Sequence, residues 1–333
     1  MLTRTACLLA ASTLTGLGPA SALAAGFSFV EVPAGDDGAP AIEAAVWYPT
    51  EAAAPEAANT PFGQALALRG PVAGEALPLV VLSHGDGGWF GGHATLAREL
   101  ARAGMVAVAP NHPGNSDGDE TATPGQWIAE RPAHLRRLVA HMTGDWEAAD
   151  RLDPDRIGLF GFSAGGHSVL VAAGARPSLA AMAAHCAADP QEFACAAGMV
   201  ADVLDHAPRF PAGLSGLRAV VAVAPGFGFG FDDAGLAPVR VPVQLWAGED
   251  DDRVSLAGNV AHLPDGLGGE TELRRVAGAG HFAFLQPCTP ALQAANPDLW
   301  EMVCRDAPGF DRAAFQQRFN AEVVAFLARH LID

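Results

Sequence analysis

Residues 156–168 read RIGLFGFSAGGHS. The first five are an apolar run ending at Phe160, and Gly161-Phe162-Ser163-Ala164-Gly165 matches the pattern G-x-S-x-G. A helix of small residues is expected directly after it, from Ala164 to Ala175. Strand, tight turn and helix in that order are the context the motif requires. A serine on so sharp a turn projects its hydroxyl above the sheet. Glycines on both sides remove the β-carbons that would collide there. Ser163 is therefore the candidate nucleophile, in preference to a serine in a structural turn.

Working outward, short apolar runs alternate with helical patterns. Strands are expected at 41–48 (AIEAAVWY), 77–83 (LPLVVLS), 105–110 (MVAVAP), 217–224 (LRAVVAVA), 241–247 (VPVQLWA) and 272–276. Helices are expected at 93–103, 131–142 with Pro132 in its first turn, and 310–330. Residues 51–74 read as a surface connection rich in Ala, Pro and Gly. Continuous apolar strands separated by helices imply a mostly parallel, doubly wound α/β sheet buried on both faces. The segment 177–216 breaks the alternation and reads as a small inserted cap near the mouth of the site. One domain is expected over 25–333. In such sheets ligands bind at the carboxyl ends of the strands, so residues just after strands carry the functional weight.

A serine hydroxyl needs a base. His281, in the glycine-rich turn Gly278-Ala279-Gly280-His281 after the last strand, is the candidate; His262 and His330 read as surface residues. The imidazole needs an acid to hold its tautomer. After VPVQLWA the chain offers Glu249-Asp250-Asp251-Asp252. Four adjacent carboxylates cannot all be buried and ionised, so one turns inward. Asp251 fits G-x-x-D-x-x-V and is chosen, with Asp250 as the alternative. Two backbone N–H groups should bind the oxyanion: that of Ala164, and that of Asp86 in the loop Ser83-His84-Gly85-Asp86-Gly87-Gly88. The Asp86 carboxylate must then point away from the developing charge. His84 is expected to shape this loop, and His112 the floor of the site. Trp89 and Phe90 are candidates for lining an acyl pocket, with core packing as the plain alternative. His167 is expected to pack beneath the sheet.

Composition excludes several classes. The net charge is -17. All 20 basic residues are arginines, so lysine Schiff-base and P-loop chemistry are impossible. The acidic balance argues against nucleic acid, which needs a cationic footprint. Arg4, the apolar run 6–17 and Ala22-Leu23-Ala24 look like a cleaved signal peptide over 1–24. Export to the periplasm or the medium is expected, without stable membrane insertion. Four cysteines then remain, Cys186, Cys195, Cys288 and Cys304. Three connectivities are open, and the two local pairings, Cys186 with Cys195 and Cys288 with Cys304, are favoured over buried free thiols.

The stretches SHGDGG, NHPG, Arg131-Pro132, DPDRIGLFGFSAGGHS and GAGHFAFL, with Trp47-Tyr48-Pro49-Thr50, resemble the bacterial dienelactone-hydrolase-like proteins related to the platelet-activating-factor acetylhydrolase group. The resemblance covers most of the chain after the leader and implies an α/β-hydrolase fold. It implies carboxylic-ester hydrolysis through an acyl-enzyme, a triad of Ser163, Asp251 and His281, and no cofactor. The substrate would be a small-molecule or polymeric ester. One departure is informative: dienelactone hydrolases use a cysteine nucleophile, and this position is serine, so lactone chemistry does not carry over. An amidase on the same triad and a non-catalytic binding module are the rival readings.

Overall fold

The computed structural model describes residues 24–333. The expected signal peptide lies outside the described residues, except that Ala24 already belongs to the first strand. Nine strands form one sheet: β1 (Ala24–Val32), β2 (Ile42–Thr50), β3 (Ala67–Leu68), β4 (Leu77–Ser83), β5 (Val106–Pro110), β6 (Leu152–Phe162), β7 (Leu217–Val223), β8 (Val243–Gly248) and β9 (Thr271–Val276). Their spatial order is β3-β1-β2-β5-β4-β6-β7-β8-β9. The stretch from β5 to β9 is parallel throughout, whereas β2 joins β1 and β5 antiparallel.

Every residue of β4, β5 and β8 is buried, as continuous apolar runs require when helices cover both faces. Helix α1 (Ala94–Arg102) packs against the closing helix, and α2 (Pro124–Gly144) against α3 (Ala164–Ala172), so two helical layers enclose the sheet. Successive crossovers leave β4 in opposite directions, to β5 on one side and β6 on the other. Doubly wound sheets bind ligands outside the carboxyl ends of the strands at such a reversal, here those of β4 and β6. The two ends are level, with Ser83 paired to Gly161.

Three helices leave the sheet before β7: α4 (Leu179–Ala188), α5 (Phe193–Ala196) and α6 (Met199–His206). The Cys186–Cys195 disulfide ties α4 to α5. Met182, Val200 and Val203 share a small core with Trp127, Phe227 and Ala164, so this excursion reaches the residue after Ser163. Single turns α7 (Asp233–Leu236) and α8 (Leu263–Gly266) flank β8 in sequence. After β9 come α9 (Pro290–Ala295) and α10 (Pro297–Cys304), bridged by Cys288–Cys304, and then the closing helix α11 (Arg312–Leu331).

Three sequence expectations need correction. Helix α2 begins at Pro124, so Pro132 is interior and not in the first turn. The true start carries a capping box: the Thr123 side chain accepts from the third-position N–H, and Gln126 Oε1 accepts from Thr123 N–H at 2.9 Å. β1 was not anticipated; its nine residues pair with β2 from Ala24–Thr50 to Val32–Ile42. The 51–74 connection is anchored, because buried Gln64 accepts from Trp47 Nε1 at 3.0 Å and donates to the Ala94 carbonyl at 2.7 Å.

Candidate active site

Ser163 sits between β6 and α3 with φ 55° and ψ −119°, a left-handed backbone that costs a serine free energy. The ends of β6 and β7 hold it there: Ser163 N–H donates to the Val223 carbonyl at 2.9 Å, and Gly226 N–H donates to the Ser163 carbonyl at 3.0 Å. The flanking glycines are required by contact. A β-carbon on Gly161 would collide with the Gly165 backbone, and one on Gly165 with the Ser83 and His84 carbonyls.

His281 opens a short turn after β9. Phe284, buried against Phe315 and Phe319, pins that turn to the core, and Gln316 Nε2 donates to the Ala283 carbonyl at 2.9 Å. The imidazole lies 4.8 Å from the Phe162 ring, ring centre to ring centre. Asp251 follows β8. Of the four adjacent carboxylates it alone is buried, while Glu249, Asp250 and Asp252 are exposed. Asp251 Oδ1 accepts from the backbone N–H groups of Arg253 (2.9 Å) and Val254 (2.7 Å). Oδ2 lies 2.8 Å from His281 Nδ1, and His281 Nε2 lies 2.9 Å from Ser163 Oγ. A carboxylate only accepts, so the His281 proton sits on Nδ1 and Nε2 is free to accept from the serine hydroxyl. The structure thus brings the three sequence-predicted residues into one hydrogen-bonded chain.

The 84–88 loop lies beside Ser163: a β-carbon on Gly85 would touch Ser163 Cβ at 3.4 Å. Ala164 opens α3, so its N–H has no partner within the helix. The Asp86 carboxylate is tethered to Asn115, whose Nδ2 donates to Oδ1 at 2.7 Å. Beneath the loop lies a buried polar layer of Ser83, His84, His112, Asn115, Arg131 and His134. Burial and the neighbouring Arg131 charge hold His84 and His112 well below the usual histidine range. The same two causes push His134 down to about 4. Burial pushes Arg131 down to about 9, opposed by the Asp86 carboxylate, so the guanidinium stays charged at neutral pH.

Other expected residues fall elsewhere. Trp89 and Phe90 pack with Phe62 and Phe29; the rings against His281 are Phe162 and Phe282. His167 is buried among Phe210, Phe227 and Phe231, with neither ring nitrogen bonded. His262 is half-buried, its Nε2 3.1 Å from the Gly228 carbonyl, and His330 is half-buried on α11. Sequence reasoning missed Asn115 altogether, and it met Arg131 only within the Arg131-Pro132 pair. An arginine in register with the apolar residues Trp127, Ile128, Leu135 and Leu138 was the available signal. Among the described residues one trio could hold a cation, His185, Asp189 and Glu192. It lies in the α4–α5 excursion, and the Glu192 oxygens already accept from Ser255 (3.1 Å) and Asn259 (3.2 Å).

No protein-family model matches the sequence, and no curated protein matches it. Among solved structures, a ferulic acid esterase from Streptomyces cinnamoneus is similar, with a TM-score of 0.61 and 18% identity over 95% of this chain and 92% of that one. Sheet order, the turn at Ser163 and this likeness agree: the chain has an α/β-hydrolase fold.

Proposed function

We propose that this protein is a serine carboxylesterase that works through an acyl-enzyme. The observation that carries the reading is the Ser163–His281–Asp251 chain, with contacts of 2.9 and 2.8 Å, in the loops after the carboxyl ends of β6, β8 and β9. Ser163 Oγ attacks the ester carbonyl carbon as His281 Nε2 takes its proton. Asp251 holds the Nδ1 proton in place and stabilises the imidazolium. The N–H groups of Ala164 and Asp86 receive the tetrahedral oxyanion. The C–O bond then breaks and His281 returns the proton to the leaving alcohol. Water, deprotonated by the same imidazole, attacks the acyl-enzyme and releases the acid. Every step uses groups of this chain and water, so no cofactor is invoked.

The α4–α6 excursion acts as the cap of a single domain spanning 25–333, and Phe162 and Phe282, the rings against His281, flank the reacting centre. Small, lipid-type or polymeric esters are the substrate class, in keeping with the resemblance to dienelactone-hydrolase-like and acetylhydrolase-like esterases. The two disulfides fit an oxidising compartment, as expected of an exported protein. A panel of p-nitrophenyl esters, each matched with the p-nitroanilide of the same acyl chain, tests the reading. Ester cleavage with no measurable anilide cleavage supports an esterase; anilide turnover at a substantial rate makes it an amidase, and no cleavage of either favours a binding module.

A further inference from the structure

We infer that Arg131 is a positioning residue that fixes the direction of the Asp86 N–H by gripping the back of the oxyanion loop. The inference rests on the esterase reading above and concerns a residue that never reaches the substrate.

Arg131 projects from α2 and is fully buried, yet its guanidinium has no carboxylate in direct contact. It is spent on the loop's main chain. Nη2 donates to the His84 carbonyl, and Nη1 donates to the Gly85 carbonyl at 3.3 Å and to Asn115 Oδ1 at 2.7 Å. The Gly85 carbonyl also accepts from His84 Nδ1 (2.7 Å) and from Gly88 N–H (3.1 Å). That fixes the His84 tautomer, since Nε2 is then the acceptor for His112 N–H at 3.3 Å.

The Gly85 carbonyl and the Asp86 N–H belong to one peptide unit. In a trans peptide they point in opposite directions. Three donors hold the carbonyl, Arg131 Nη1 from α2 and the loop's own His84 Nδ1 and Gly88 N–H, so the N–H is turned the other way, outward from Arg131. A rotation of this peptide would take one acceptor from the buried guanidinium, leave His84 Nδ1 and Gly88 N–H without theirs, and set a carbonyl where the oxyanion forms. Buried donors left without an acceptor each cost free energy, so these contacts hold one orientation before substrate arrives. Asn115 completes the device. It joins Arg131 Nη1 to the Asp86 carboxylate, drawing that negative group aside from the hole. A pre-oriented donor matters because losing one costs about 10²–10³-fold in kcat.

The test compares wild type with Arg131→Met, Arg131→Lys and Asn115→Ala, using p-nitrophenyl butyrate. For folded Arg131→Met, kcat is expected to fall by about 10²-fold with KM within about threefold, since the oxyanion exists only in the transition state. Fluorophosphonate labelling should slow in parallel, because phosphonylation needs the same hole. Lysine keeps the charge and three donors, without the planar fork, and should restore part of kcat. Asn115→Ala should lower kcat by roughly tenfold; it decides the matter if the methionine variant does not fold. A folded Arg131→Met with wild-type kcat, or an Asn115→Ala with unchanged kcat where the former is unfolded, overturns the inference. Ser163→Ala separates the two levels: if it keeps activity, the esterase reading itself has failed.

Discussion

Replacing Asp251 by Asn probes the triad at the point where the structure is most specific. Oδ1 accepts two backbone N–H groups, from Arg253 and Val254, at 2.9 and 2.7 Å. An amide nitrogen there would face two donors, so the Asn oxygen must keep that place. Its Nδ2 then falls where Oδ2 now stands, 2.8 Å from His281 Nδ1. That nitrogen only donates, so Nδ1 must accept and the imidazole proton moves to Nε2. Nε2 faces Ser163 Oγ at 2.9 Å and can no longer take its proton. A wrong tautomer of this kind costs about 10⁴-fold in kcat, or about 5.5 kcal/mol. Steady-state hydrolysis of p-nitrophenyl butyrate reads the loss directly, with little change expected in KM. Asp250→Asn is the control; its side chain is exposed, and kcat should stay within about threefold. Asp251→Asn within tenfold of wild type would refute the reasoning, and a matching loss in Asp250→Asn would move the acid by one residue.

Acid should destabilise the fold. Burial holds His93 and His167 down to about 3 and His134 to about 4, while the unfolded chain titrates near 6.5. The unfolded state therefore binds more protons below about pH 6.5, and each such histidine removes about 1.4 kcal/mol per pH unit until its folded value is reached. Tm should fall steeply between pH 6.5 and 5, and an unchanged Tm across that range would contradict the burial of these rings. Gly165→Ala forces a β-carbon into the Ser83 and His84 carbonyls and should cost on the order of 3 kcal/mol, seen as a lower Tm; wild-type stability would mean the strand–helix contact is looser than described. The Cys288–Cys304 bridge spans a separation of 16 residues, worth about 3 kcal/mol against the unfolded chain. Neither α9 nor α10 fully buries a side chain, so Cys288→Ser with Cys304→Ser should become protease-sensitive within 288–304 first; equal resistance would refute a local role.

The parallel half of the sheet was legible because burial on both faces writes itself as unbroken apolar runs such as LPLVVLS. The candidate triad was legible for a related reason: each member lies in the loop that follows a strand, and glycines mark the turns that carry Ser163 and His281. β1 was hidden because Ala24–Val32 follows closely on the apolar run 6–17 and pairs antiparallel near the rim, where Phe29 and Glu31 face water. Helix α2 was begun seven residues late, although Thr123-Pro124-Gly125-Gln126 carries both a capping box and a first-turn proline. Proline at 132 drew attention to the wrong place. Of the layer under the 84–88 loop, His84 and His112 were legible as residues just after strands, whereas Asn115 and Arg131 were not. Its members come from β4, the loop after β5 and α2, and only the crossing of those elements brings Asn115 and Arg131 to Gly85.

The central claim is that Ser163 is an activated nucleophile, and fluorophosphonate labelling of the purified protein, located by peptide mass spectrometry, tests it most directly. The account predicts one adduct, on Ser163, that is lost in Ser163→Ala and strongly slowed in Asp251→Asn. Absence of any adduct on a folded wild-type protein, or an adduct that persists in Ser163→Ala, would contradict it.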